Sequence, residues 1–183
     1  MNLIPTSIPD CFILEPAKFG DSRGYFFESY SRKVFTALSG LDIEFVQDNQ
    51  ALSGYGTLRG LHFQRGDAAQ AKLVRVMQGR VLDVAVDLRP DSATRGQYVA
   101  VELSAENNRQ LFVPRGFAHG YSVLEDNTIF VYKCDNYYNK AAEGGVFYGD
   151  ANLSIDWQLP EKDILLSDKD RLWPSLRVEL ENH

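Results

Sequence analysis

Between residues 72 and 133 the chain is cut into short strand-like runs with no room for helices between them, and this limits its fold more than any other feature. Lys72–Met77 leads into Gln78-Gly79, and Arg80–Leu88, rich in Val, Leu and Ala, ends at Arg89-Pro90. Gln97–Leu103, Gln110–Val113, Gly120–Leu124 and Thr128–Lys133 follow. Each run is short, β-branched or aromatic, and stops at Gly, Pro, Asn or Asp, the usual punctuation of strands. Parallel strands need crossover connections of about a dozen residues or more, which these gaps do not provide. A repeat of roughly 8–12 residues is the signature of a β-sandwich or barrel. Helical signals are limited to Ser31–Leu38, with Ser31 as N-cap, and to short pieces near Asn152 and Asp168. No internal repeat, low-complexity run or linker divides the 183 residues, so one all-β domain, 1–183, with a few short peripheral helices is expected.

Composition narrows the function classes. The net charge of −6 and the lack of a basic run argue against a nucleic-acid partner, since nothing offers a track for phosphates. An anionic ligand would have to be drawn in by local cations rather than by the overall field. Cys11 and Cys134 match neither a disulfide framework nor a zinc site and read as small buried hydrophobes in a reducing compartment. Met1-Asn2-Leu3-Ile4-Pro5 lacks a charged region followed by an apolar one, so no signal peptide is indicated. Nowhere do 18 apolar residues run together. The expectation is a cytoplasmic protein without a membrane partner.

The segment Thr57-Leu58-Arg59-Gly60-Leu61-His62-Phe63-Gln64, with Lys72 ten residues after the histidine, carries the strongest chemical signal. Imidazole is the side chain whose unperturbed pKa lets it take or give a proton near neutral pH. Two cations beside an apolar run are costly unless something anionic pairs with them, which suits an anionic substrate or developing negative charge. A lone histidine satisfied within a sheet is the bland alternative. In a regular strand Arg59, Leu61 and Phe63 share one face and Leu58, Gly60, His62 and Gln64 the other. For Arg59 and His62 to reach one pocket, the backbone at Arg59-Gly60 must bend or bulge, or Arg59 must lie at the strand end.

Pro114-Arg115-Gly116-Phe117-Ala118-His119 has the P-x-G-x-x-H spacing of the second cupin motif, and Gly56 with His62 matches the opening of the first, G-x5-H. Metal-binding cupins continue with a second histidine and a carboxylate, but here position 64 is Gln64 and no Glu follows until Glu102. Two histidines without a third nitrogen or a placed carboxylate make a poor first-row metal site, so no metal is expected. Tyr132 and Tyr138 can act as a proton donor or a stacking platform, or can simply be structural aromatics of a barrel. Phe19–Glu28 reads as a turn and an edge strand, and Leu165–Asp170 as a solvated turn, unless a site recruits them.

In order and spacing, Ile13-Leu14-Glu15-Pro16, Phe19-Gly20-Asp21-x-Arg23-Gly24, Gln47-Asp48-Asn49, Leu58–Gln64, Ser104–Asn107, Pro114-x-Gly116-Phe117-Ala118-His119-Gly120, Tyr132-Lys133 and Leu166-Ser167-x-Lys169-Asp170 together resemble the dTDP-4-dehydrorhamnose 3,5-epimerases over nearly the whole chain. The resemblance implies a metal-free, cofactor-independent cupin-like β jelly roll, a double-stranded β-barrel, working as a homodimer. It implies epimerisation at C3 and C5 of dTDP-4-dehydro-6-deoxy-D-glucose to dTDP-4-dehydro-L-rhamnose through enolates. Carried over by position, His62 is the base with Asp170 behind it, Lys72 stabilises the enolate, and Tyr132 returns the proton. Arg59 and His119 surround the sugar and diphosphate, and Tyr138 with an aromatic of Tyr25-Phe26-Phe27 flanks the thymine. Arg23, Glu28, Gln47, Asp48, Asn49, Glu143 and Lys169 match ligand-binding positions, with Arg23, Phe26 and Glu28 acting in the neighbouring subunit's pocket. One departure is Tyr121, where the family more often has Phe. A C3-only epimerase, a 3,4-ketoisomerase on the same nucleotide sugar and a non-catalytic sugar-nucleotide-binding cupin remain the alternatives.

Overall fold

The computed structural model describes residues 1–181. Its elements, in chain order, are β1 (Asn2–Pro5), β2 (Phe12–Glu15), β3 (Phe19–Asp21), β4 (Gly24–Phe26), α1 (Arg32–Ser39), β5 (Gln47–Ser53), β6 (Leu58–Gln64), β7 (Lys72–Gln78), β8 (Arg80–Asp87), β9 (Tyr98–Ser104), β10 (Gln110–Val113), β11 (Phe117–Val123), β12 (Thr128–Cys134), β13 (Glu143–Gly145) and α2 (Leu176–Glu181). Two antiparallel sheets face each other, a six-stranded one ordered β1-β2-β10-β7-β12-β5 and a five-stranded one ordered β13-β6-β11-β8-β9. This is the two-sheet β architecture expected from the strand spacing and the cupin-like jelly roll implied by the family resemblance, with two short α-helices at its periphery.

Alternation along the strands builds three apolar layers. Val74 and Val76 of β7, Phe130 of β12 and Leu111 of β10 meet Val81 and Ala85 of β8 and Phe117 and Val123 of β11 between the sheets. The other face of β8, with Leu82, Val84 and Val86, is covered by Leu153, Trp157 and Leu176 from the C-terminal segment. Coverage of both faces is why β8 reads as a nearly continuous apolar run. On the outside of the six-stranded sheet Phe12, Leu14, Leu73 and Phe112 pack under Phe35 of α1. That helix starts where expected, since Ser31 Oγ accepts from Val34 N–H.

Three details differ from the sequence expectation. The stretches near Asn152 and Asp168 are turns, because Asp150 Oδ1 accepts from Asn152 N–H and Ser167 Oγ accepts from Asp170 N–H, local bonds that compete with a helix. The late helix forms instead at α2, and a single 3₁₀ turn at Glu161–Asp163. β11 begins at Phe117, three residues before Gly120, since Phe117 pairs with Asp87 of β8, and His119 is therefore a strand residue. Phe19–Phe26 is neither a lone turn nor an edge strand of a main sheet. It is a two-stranded hairpin of its own, β3–β4, with Phe19 and Phe26 two-thirds exposed.

One buried carboxylate ties the barrel's end together. Asp87, fully buried, accepts from Arg89 Nη2 (2.9 Å), Ser92 Oγ (2.6 Å) and Thr94 Oγ1 (2.8 Å), while Arg89 also reaches Asp10 (2.7 Å). Burial alone would raise the Asp87 pKa, but these donors outweigh it and hold it at about 2 against an ordinary 3.8. A carboxylate with a depressed folded pKa adds stability that is present above the unfolded value and lost as pH falls through the folded one, here about 2 kcal/mol. Asp87→Asn should therefore unfold at lower urea than the parent at neutral pH, with the gap closing as pH falls from about 4 towards 2. A gap that stays constant over that window would count against this account.

No helix among the described residues is long and apolar enough to cross a membrane.

Candidate active site

A cavity of about 720 Å³ opens between the two sheets. His62 and Arg59 reach it from β6, His119 and Tyr121 from β11, Lys72 from β7 and Tyr132 from β12. Asp170 and Lys169 arrive from the C-terminal segment. A smaller adjoining cavity of about 280 Å³ shares His62, Lys72, Tyr132 and Asn49 and adds Gln47, Tyr138 and Glu143.

Arg59 and His62 share this cavity because β6 is bulged. His62 pairs with His119 of β11, but Arg59 pairs with Tyr121, so three steps on β6 match two on β11. The extra residue reverses the alternation, which leaves Leu58, Leu61 and Phe63 together in the outer apolar layer and sends Arg59 and His62 inward. Gly60 sits at the bulge with φ of 140°, and a Cβ there would lie 2.5 Å from the Cα of Gly120. Two facing glycines permit a backbone approach that no other residue pair would.

His62 Nε2 donates to Asp170 Oδ1, which leaves Nδ1 as the basic nitrogen. Burial pushes the Asp170 pKa up, but the His62 hydrogen bond and charge, with donors from Ser167 and Trp173, hold it below the usual carboxylate range. The carboxylate thus stays anionic beside the imidazole. A second pair lies across the strand: His119 Nε2 bonds both oxygens of Asp83, at 2.9 and 3.1 Å. His119 is driven towards its neutral form by burial, against the pull of Asp83. Lys72 is half-buried, and desolvation lowers the pKa of its ammonium, partly offset by Cys134, Asp83 and Glu143. A lowered pKa makes it a better donor to a developing oxyanion. Tyr132 is pushed up by burial and so keeps its proton at neutral pH. Arg59 donates to Ser53 Oγ (3.3 and 3.2 Å) rather than to a carboxylate. Its charge therefore remains open to an anionic ligand.

The remaining expected positions divide into three groups. Asn49, Lys169, Gln47, Tyr138 and Glu143 line the two cavities, with Lys169 Nζ 2.7 Å from Glu143 Oε1. Asp48 is not brought into either of these cavities: alternation along β5 turns it to the outer face, where it pairs with Lys133 at 2.9 Å. Arg23, Phe26 and Glu28 also stay outside them, on or beside the exposed hairpin, where Arg23 pairs with Asp21. Sequence reasoning missed Asp83, although a single acid inside Val81-Leu82-Asp83-Val84-Ala85-Val86 is a signal, since a buried carboxylate must find a partner. It also missed Ser53 and Trp173, whose positions carry no local motif, and gave no role to Ser167, which it met only as part of the Leu166-Ser167-x-Lys169-Asp170 motif. Tyr121 stacks on Phe130 with ring centroids 4.0 Å apart and is raised in pKa by burial.

Comparison with known proteins gives a consistent answer. The family model for dTDP-4-dehydrorhamnose 3,5-epimerase matches residues 5–178. A dTDP-4-dehydrorhamnose 3,5-epimerase of Shigella flexneri is 54% identical over 170 residues, covering 93% of each chain. The crystal structure of the enzyme of that name from Elizabethkingia anophelis superposes with a TM-score of 0.94 at 55% identity, covering 97% of both chains. A 3,5-epimerase from Legionella pneumophila, solved in complex with dTDP-4-keto-L-rhamnose, superposes with a TM-score of 0.93 at 47% identity, covering 98% of this chain and 96% of that one. The chain belongs to the dTDP-4-dehydrorhamnose 3,5-epimerase family.

Proposed function

We propose that this member of the family inverts C3 and C5 of dTDP-4-dehydro-6-deoxy-D-glucose, giving dTDP-4-dehydro-L-rhamnose for dTDP-L-rhamnose synthesis. The observation that carries the reading is the placement of two proton-transfer groups on opposite sheets of one cavity. His62, backed by Asp170, stands on β6 of the five-stranded sheet, and Tyr132 on β12 of the six-stranded sheet. Inversion at carbon needs a proton taken from one face and returned to the other, and two groups on opposing walls do this without turning the sugar over.

The C4 ketone acidifies the hydrogens on both C3 and C5. His62 Nδ1 takes one of them, the electron pair moves into the C4 oxygen as an enolate, and Asp170 stabilises the imidazolium. Lys72 donates to the enolate oxygen, and one such preorganised donor is worth about 10²–10³ in rate. Tyr132 protonates carbon on the opposite face, the ketone reforms, and His62 and the tyrosinate return to their starting forms by exchange with solvent. The cycle then repeats at the second carbon. Arg59 offers its charge to the diphosphate, His119 lies beside the sugar, and Tyr138 offers a stacking face to thymine, with Gln47, Asn49, Glu143 and Lys169 around the nucleotide. Proton NMR in D₂O, following C3 and C5 separately, tests the reading. Deuterium at C3 alone would mean a C3-specific epimerase, and deuterium at neither would overturn it.

The reading extends to a cytoplasmic, one-domain enzyme that acts as a homodimer, with Arg23, Phe26 and Glu28 completing the neighbouring pocket. Both cysteines are free, as suits a reducing compartment. Supporting the dimer, the β3–β4 hairpin pairs with no main sheet of its own chain and leaves Phe19, Tyr25 and Phe26 exposed. Leu52 and Met77 are exposed on the outer face of the six-stranded sheet as well, an apolar surface that association would cover. Mixing an Arg23→Ala chain with a His62→Asn chain should regenerate one intact pocket per heterodimer, about a quarter of full activity after random exchange. No recovery after verified exchange would count against a shared pocket.

A further inference from the structure

We propose that Trp173 is a positioning residue of the His62–Asp170 pair, setting the proton affinity of the base by sharing the carboxylate oxygen that His62 uses. This rests on the reading of His62 as the base. Trp173 Nε1 donates to Asp170 Oδ1 at 3.2 Å, the same oxygen that accepts from His62 Nε2. The indole also meets the imidazole edge to face, with centroids 6.0 Å apart and planes at 69°.

The indole is held in place from several sides. Gly145 of β13 pairs with His62, and a Cβ on that glycine would lie 2.4 Å from Trp173 Cδ2, so the ring rests directly on the glycine backbone. Pro174 O accepts from Phe147 N–H at 2.8 Å. Beyond it, α2 is fastened by Leu176 N–H to Asp150 Oδ2 (2.8 Å) and by Arg65 to the buried Glu179 (2.5 and 2.9 Å). Arg65 directly follows the strand that carries His62. The C-terminal segment is thus pinned to β6 and β13, and its indole N–H is aimed at one oxygen.

A second N–H on Oδ1 draws off part of the charge that would otherwise stabilise the imidazolium. With that N–H in place the His62–Asp170 pair gains less from taking up a proton, and its removal should strengthen proton uptake by the pair. The other charged or titratable groups around His62 are Lys169 of the C-terminal segment, His119 of β11, Lys72 of β7, Tyr132 of β12, Glu143 of β13 and Arg59 of its own strand. Of these, Lys169 touches the indole, with Nζ 5.8 Å from its ring centroid, so the replacement must keep an aromatic face for that cation while removing only the N–H.

Trp173→Phe retains an aromatic ring and removes the N–H. The acid limb of its kcat/KM profile should move up by about half a pH unit, a loss of roughly threefold on that limb, with a smaller loss on the plateau. A purely structural role would lower activity at every pH and leave the midpoint in place. The second measurement needs no variant and no turnover. In the ¹⁵N-labelled, substrate-free wild-type protein the Trp173 indole signal should titrate with the His62 midpoint. The Trp157 indole, which donates to Tyr148 O at 3.0 Å, serves as the internal control and should not. A Trp173→Phe profile whose midpoint coincides with the wild type, or an indole signal indifferent to the His62 titration, would overturn the proposal. A wrong base assignment would show differently, as activity that survives loss of His62.

Discussion

His62→Ala should stop solvent deuterium from entering either C3 or C5 of the substrate. Both exchanges begin with removal of a proton by the same imidazole, so losing it blocks the reaction before any enolate forms. The rest of the cavity is unchanged by the substitution: Lys72, Arg59, His119 and Tyr132 still line it, and substrate should still bind. The defect should therefore fall on kcat rather than KM, by at least the 10²–10⁴-fold typical of a general base. Asp170, left in place, loses the partner that holds its pKa down, and its carboxylate becomes the group to watch for residual activity. Exchange persisting at both carbons near the wild-type rate would remove His62 from the mechanism. Exchange lost at one carbon alone would mean that the two positions use different bases.

Tyr132→Phe should separate the two halves of each inversion. The variant keeps the His62–Asp170 pair and the Lys72 cation, so proton removal and enolate formation continue. What it lacks is the acid on the opposite sheet. The enolate is then reprotonated from the side it came from, and substrate of unchanged configuration gains deuterium while L-configured product falls by about 10²–10⁴-fold. The phenyl ring can keep the place of the phenol, since the Tyr132 side chain packs against the core between the sheets. The informative quantity is the ratio of exchange to epimerisation, which a general loss of folded protein would not alter. Near wild-type epimerisation by Tyr132→Phe would show that another donor serves the far face. Tyr121 would then be examined first, since it lines the same cavity beside Arg59.

Much of the architecture was legible because strand signals are local. Runs such as Arg80–Asp87 and Gln110–Val113 announce themselves by β-branched content and by the residues that end them. β5 was harder: Gln47-Asp48-Asn49-Gln50 has almost no strand propensity, and it forms because its backbone pairs with β12. The hairpin β3–β4 reads as an edge strand for the same reason, since nothing local says whether an edge will meet a sheet.

At the site, residue types and their spacing marked His62, Lys72 and His119, because imidazole and ammonium have intrinsic chemistry that a sequence displays directly; Tyr132 and Asp170 gained roles only through the family resemblance, since alone they read as a structural aromatic and part of a solvated turn. Tertiary structure decided how these groups meet. Arg59 and His62 share a face through a bulge that depends on Gly120, sixty residues further along the chain. Asp83 finds His119, and Asp48 turns outward to Lys133, according to cross-strand register. Asp170 and Trp173 reach His62 from more than a hundred residues away because Trp157, Leu176 and Glu179 dock the C-terminal segment against the five-stranded sheet and Arg65. Periodicity and turn residues act over a few positions and are written in the chain. Register, facing and docking are set by which surfaces become buried together, and that exists only once the chain has folded.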